Sequence, residues 1–116
     1  MKGKKCRVIE DYKSPYTDPF LIKEGEILTI GKKDSEWSGW IWCTNKFGDS
    51  RWVPENYLEI KGKIGKAKQN YNANELSVNI GEELIIKEEE AEWFWVINQL
   101  GKSGWVPIKN VQIIDE

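Results

Sequence analysis

Trp40-Ile41-Trp42-Cys43-Thr44-Asn45-Lys46-Phe47-Gly48-Asp49-Ser50-Arg51-Trp52-Val53-Pro54 returns, without a gap, as Trp93-Phe94-Trp95-Val96-Ile97-Asn98-Gln99-Leu100-Gly101-Lys102-Ser103-Gly104-Trp105-Val106-Pro107. The offset is 53 residues (93 − 40), and it still holds from Ile60 to Ile113. Upstream, Phe20-Leu21-Ile22-Lys23-Glu24-Gly25-Glu26-Ile27-Leu28-Thr29-Ile30 answers Leu76-Ser77-Val78-Asn79-Ile80-Gly81-Glu82-Glu83-Leu84-Ile85-Ile86 at an offset of 56 (81 − 25), and Tyr12 answers Tyr71 at 59 (71 − 12). Two steps of three therefore separate the copies, one between Tyr12 and Phe20 and one between Ile30 and Trp40. Length differences collect in loops, so the steps mark two variable loops and the constant blocks mark the scaffold. A repeat of this period predicts two small units in place of one larger fold.

The scaffold blocks read as strands. Val8-Ile9, 26–30, 40–44 and 51–53, with 83–87, 93–97 and 104–106 in the second copy, are short, β-branched or aromatic, and bounded by Gly, Asn, Asp, Lys or Pro. No window carries a helical period. The segments 45–49 and 98–102 predict hairpins with Gly48 and Gly101 free to take positive φ. Five short strands in about 55 residues are too few for a sandwich but enough for a small, partly open barrel. The expectation is an all-β chain of two five-stranded barrels: residues 1–60, a short linker at 61–65, and residues 66–116.

Composition narrows the chemistry. The 116 residues include seven Trp, no His and two Cys, and the formal net charge is −2. Without His there is no imidazole for general catalysis, for a mixed Cys/His zinc site or for a His-containing triad. Cys6 and Cys43 are too few for a four-ligand metal cluster or a disulfide scaffold, and read as free thiols in a reducing compartment. No cofactor and no metal are expected. Residues 1–60 hold ten basic and ten acidic groups, and residues 61–116 hold seven and nine, so neither half has a nucleic-acid footprint. The basic start is followed by Arg7, Glu10 and Asp11, not by an apolar run, and no stretch reaches the roughly 20 apolar residues of a membrane span. A cytoplasmic protein without membrane contact is expected.

In order and spacing, Val8-Ile9-Glu10-Asp11-Tyr12, Phe20 to Glu26, Trp40, and Trp52-Val53-Pro54-Glu55-Asn56-Tyr57-Leu58 resemble the Src-homology-3 (SH3) family, in a prokaryotic-type variant, and the resemblance covers nearly the whole chain twice. It implies a five-stranded barrel whose ligand groove is built of aromatic rings and one Pro between the RT and n-Src loops. Such a groove suits proline-rich segments, which are already extended and lose little entropy on docking. Carried over by position, the first copy keeps Tyr12, Trp40, Pro54 and Tyr57, has Glu10 where a groove Tyr would stand, and offers Asp18 as the RT-loop acid. The second keeps Tyr71, Trp93 and Pro107, has Gln69 and Asn110 in place of the other two tyrosines, and offers Glu75, with Glu88 to Glu92 expected in its n-Src loop. This surface favours cationic ligands over strict proline motifs, or else has lost ligand binding.

The remaining indoles are assigned by strand geometry. Trp42 and Trp95 lie two residues after Trp40 and Trp93, on the same strand face. They are expected either to extend the ligand surface or to be covered where the barrels meet. Trp52 and Trp105 read as scaffold, and Trp37, on a loop insertion, as a recognition candidate. The function expected is a non-enzymatic module that binds a protein or peptide partner with a proline-rich or basic segment. The alternatives are an aromatic-cage reader of a methylated Lys or other small cation, a cell-wall-binding variant, and a nucleic-acid-binding variant using Lys61, Lys63, Lys66 and Lys68.

Overall fold

The computed structural model describes residues 3–16, 20–33 and 38–114; Asp18 and Trp37 lie outside them. The chain is all-β. Strands β1 (Lys5–Val8), β2 (Leu21–Ile22), β3 (Ile27–Lys33), β4 (Trp40–Thr44), β5 (Ser50–Pro54) and β6 (Leu58–Lys61) lead into β7 (Ile64–Ala67) and β8 (Tyr71–Asn72). They are followed by β9 (Glu83–Glu90), β10 (Trp93–Ile97), β11 (Ser103–Pro107) and β12 (Val111–Ile114), and single 3-10 turns occupy Glu55–Tyr57 and Ile108–Asn110. Among the described residues no helix is long and apolar enough to cross a membrane.

Two compact units form, but not from contiguous halves. One consists of residues 19–73, and the other joins residues 1–18 to 74–116. The first contains an antiparallel sheet in the order β5-β4-β3-β7-β6, and the second a sheet in the order β11-β10-β9-β1-β12. The expected boundaries at 60 and 66 are thus corrected. The first strand of each copy has moved into the other unit, with its register preserved. Lys5 pairs with Ile114 and Ile85, and its counterpart Ile64 pairs with Lys61 and Thr29.

Two local causes account for the exchange. β6 ends at Lys61 and β7 begins at Ile64, so only Gly62 and Lys63 connect them, with Gly62 at φ +61°. A two-residue connection makes its flanking strands antiparallel neighbours. The segment expected to be a linker is therefore a hairpin tip, and β7 takes the place beside β6 that β1 would need. The second cause is steric. Cys6 and Gly65 occupy equivalent positions, and a Cβ on Gly65 would lie 2.6 Å from Ile30 Cδ1, so Cys6 does not fit the slot of β7 without displacing Ile30.

Each unit has its own core, produced by alternation along its strands. In the unit of residues 1–18 and 74–116, Cys6 and Val8 pack with Leu76, Val78, Leu84, Ile86, Phe94, Val96, Val106 and Val111. In the other, Phe20, Ile22, Leu28, Ile30, Ile41, Cys43, Val53 and Leu58 are buried. Each fully buried Val, Leu, Ile or Phe contributes about 1.5–3 kcal/mol relative to exposure. The hairpins at 45–49 and 98–102 form as expected: Asn45 Oδ1 accepts from the backbone N–H groups of Phe47 and Asp49, and Asn98 Oδ1 from those of Leu100 and Lys102.

Candidate functional site

The exchange regroups the aromatic residues. In the unit of residues 1–18 and 74–116, Tyr12 from the first copy meets Trp93 from the second, edge to face with ring centroids 5.6 Å apart. The Tyr12 hydroxyl donates to Glu75 Oε1. Burial, that hydrogen bond and the adjacent carboxylate all hold the Tyr12 phenol in its neutral form, well above the ordinary phenol range. Trp93 lies directly across from Pro107 on β11. Tyr12, Glu75 and Trp93 are half-buried, so their rings and carboxylate are within reach of solvent.

In the unit of residues 19–73, Trp40 faces Pro54 in the same register. Tyr57 meets Tyr71, brought in by the second copy, with centroids 5.1 Å apart and planes at 79°. Here the rings are more covered. Trp40 is 5% and Tyr71 6% exposed, which leaves Tyr57 as the half-buried aromatic ring of this set. Lys33 pairs with Glu55 at 3.2 Å on the same unit. The more accessible constellation is therefore the one carrying Trp93, although by sequence its copy departs further from the family pattern.

The place of Asn110 follows from the same regrouping. Asn110 is 4% exposed and its Nδ2 donates to the backbone carbonyls of Glu10 and Asp11. The residue standing at a groove Tyr position has become an internal tie that anchors the chain between β1 and Tyr12.

The other indoles pair across strands. Trp42 opposes Trp52 in the β4–β5 register, with centroids 5.0 Å apart. Trp95 opposes Trp105 on β10–β11, with centroids 5.3 Å apart. Each of the two supposed surface indoles is covered on one side by a Trp of its own unit. Such edge-to-face contacts contribute about 0.5–1.5 kcal/mol beyond area burial. Trp105 is itself buried, because residues 74–76 run along β11. Leu76 N–H donates to Trp105 C=O and Trp105 N–H to Asn74 C=O.

The acidic run differs from its expected loop setting. Glu88, Glu89 and Glu90 lie within β9, opposite Trp95, Phe94 and Trp93, and only Ala91 and Glu92 form the turn. Both turn residues have left-handed backbone, φ +44° and +73°, which the two-residue hairpin geometry demands and non-glycine side chains resist. Glu88-Trp95-Trp105 and Glu90-Trp93-Pro107 thus form two rows across three strands.

Cys6 and Cys43 are free and fully buried. Desolvation pushes their thiols from 9.0 up to about 11 and about 12, so neither is a ready nucleophile.

Comparison with known proteins bears, by sequence, on the first half of the chain. Residues 5–61 match the variant SH3 domain family. An SH3 and F-BAR domain-containing protein of Dictyostelium discoideum is 40% identical over 58 residues, half of this chain and 10% of that protein. The myosin IB heavy chain of the same organism is 37% identical over 54 residues, 47% of this chain and 5% of that protein. The chain thus spans a tenth or less of the length of these relatives, and their source lends no support to a prokaryotic-type variant. Over residues 5–61 the chain is thus similar to variant SH3 domains.

Proposed function

We propose that the chain is a non-catalytic interaction module of two SH3-like barrels that binds an extended, proline-rich or basic segment of a protein partner. The observation that carries this reading is the Tyr12–Trp93 pair beside Pro107, with Glu75 held at its rim by the Tyr12 hydroxyl. Two rings at right angles offer an apolar slot for a proline, and the carboxylate offers a partner for Lys or Arg. The set Trp40, Pro54, Tyr57 and Tyr71 forms a second, more closed site of the same kind.

Titration of intrinsic Trp fluorescence with proline-rich peptides, with and without a Lys or Arg, tests the reading. A saturable response that Trp93→Ala abolishes is expected; a response unaltered by both Trp93→Ala and Trp40→Ala overturns it. A second reading, capture of a methylated Lys, draws on the Glu88-Trp95-Trp105 row, where a carboxylate and indoles lie side by side. A trimethylammonium compound that saturates the fluorescence change, with proline peptides inert, would favour it.

A further inference from the structure

β1 is an interior strand of its sheet. Cys6 pairs with Ile113 on β12 and with Leu84 on β9, and Cys6 and Val8 are 0% and 1% exposed. Without β1, the backbone edges of β9 and β12 would open together and the core would lose two filled positions. Open edges of this kind recruit another strand, and buried backbone groups demand partners.

The slot is selective for β1. β7, its repeat counterpart, is tied beside β6 by the two-residue Gly62-Lys63 turn. Its Gly65 fits against Ile30 where a Cβ would lie at 2.6 Å, whereas the β1 slot takes the thiol of Cys6 against Leu84. One strand is therefore fixed in place, and the other, together with residues 9–14 that bond to Asn110, Ile80, Val78 and Ser77 of the same unit, is tethered only by the chain that runs on to Phe20. None of the contacts β1 makes in its slot depends on that tether: the Arg7–Glu83 ion pair at 3.1 Å and both strand registers require only a strand of this sequence.

We propose that the slot between β9 and β12 accepts β1 from a second copy of this chain, giving a reciprocally exchanged dimer in which each copy completes the other. Closed monomer and exchanged dimer then share the same hydrogen bonds and core, which makes such exchange a low-cost route to dimers. The tether sets the balance, since a short connection acts as an effective concentration on the order of mM.

Lys5 and Ile85 are direct cross-strand partners, and both are exposed. Disulfide trapping in the full chain carrying Lys5→Cys and Ile85→Cys reads the source of β1. Oxidation after equilibration at about 1 μM is expected to give cross-linked monomer, and at about 1 mM a covalent dimer fraction at least tenfold larger, given that effective concentration. The unsubstituted chain supplies a second measurement. Native mass spectrometry of mixed ¹⁴N and ¹⁵N chains equilibrated at about 1 mM should show dimers of intermediate mass. Intrachain cross-links alone at the high concentration overturn the proposal, even where mixed-mass dimers form, because those dimers would then use another surface. Should the double variant fail to fold, the isotope experiment decides: mixed-mass dimers that exchange partners only on the timescale of unfolding support strand exchange, and monomers alone, or dimers that mix at once, overturn it.

Discussion

Tyr12 and Trp93 meet edge to face with ring centroids 5.6 Å apart although they belong to different copies of the repeat. Each ring of this pair therefore owes its neighbour to the strand exchange. In two contiguous barrels Tyr12 would stand beside Trp40.

That relationship is measurable in binding. A double-mutant cycle on Tyr12→Ala and Trp93→Ala, read by calorimetric titration with a proline-rich peptide, should give a coupling energy of about 0.5–1.5 kcal/mol. The cycle of Tyr12→Ala with Trp40→Ala should give a value near zero. Coupling to Trp40 in place of Trp93 would contradict the exchanged arrangement.

Two glycines test how closely the chain packs at its crossings. A Cβ on Gly104 would lie 2.7 Å from the backbone N of Leu76, whereas a Cβ on Gly65 would meet the mobile end of Ile30 at 2.6 Å. Backbone yields less readily than a side-chain terminus. Gly104→Ala should therefore destabilise by about 2–3 kcal/mol and Gly65→Ala by about 1–2, within the usual range for overpacking. Thermal or urea denaturation gives the order, and Gly65→Ala as the more damaging change would refute the argument.

The turn at Ala91 and Glu92 holds two non-glycine residues at positive φ. Replacing them by Asn and Gly, which adopt this geometry readily, should stabilise the protein by about 1–2 kcal/mol. Circular dichroism melting of Ala91→Asn/Glu92→Gly checks the gain. An unchanged or lower midpoint would mean that the turn is not strained.

The thiols set an alkaline limit on stability. In the unfolded chain a thiol ionises near 9.0, while burial holds Cys6 and Cys43 neutral to about 11 and about 12. Raised folded values mean that stability is full below pH 9 and is lost as pH climbs, because only the unfolded state releases the proton. Each thiol should contribute a loss of about 1.4 kcal/mol per pH unit until its folded value is reached. Urea denaturation between pH 8 and pH 11 should show this slope, and Cys6→Ala should remove one share of it. The same burial predicts negligible reaction with an aromatic disulfide reagent until the chain unfolds.

Much of this was legible in the residues. The gap-free repeat carried the strands and the two hairpins, and the hairpins in turn set Trp93 opposite Pro107 and Trp40 opposite Pro54 in the structure. The pairing of halves was not, because a repeat makes β1 and β7 interchangeable by pattern. What separates them is a two-residue spacing at Gly62-Lys63 and one missing Cβ at Gly65. The Trp pairs were hidden for a related reason: i and i+2 spacing gives the face of one strand, whereas Trp42–Trp52 and Trp95–Trp105 depend on cross-strand register. The extra length between Ile30 and Trp40 hid a further difference. In the second copy the loop shrinks to Ala91-Glu92, and the acidic residues become strand.

The pairing of Lys5 with Ile114 also orders events at the ribosome. The unit of residues 19–73 is complete as soon as Ala73 has emerged, and it forms from contacts available at that stage. β1 has no complete slot until Val111 to Ile114 follow, so of the described strands the first in chain order is among the last to be built in. While the residues between β1 and β12 are being added, its Cys6 and Val8 face must wait without its full cover, which makes β1 the segment a chaperone would have to hold.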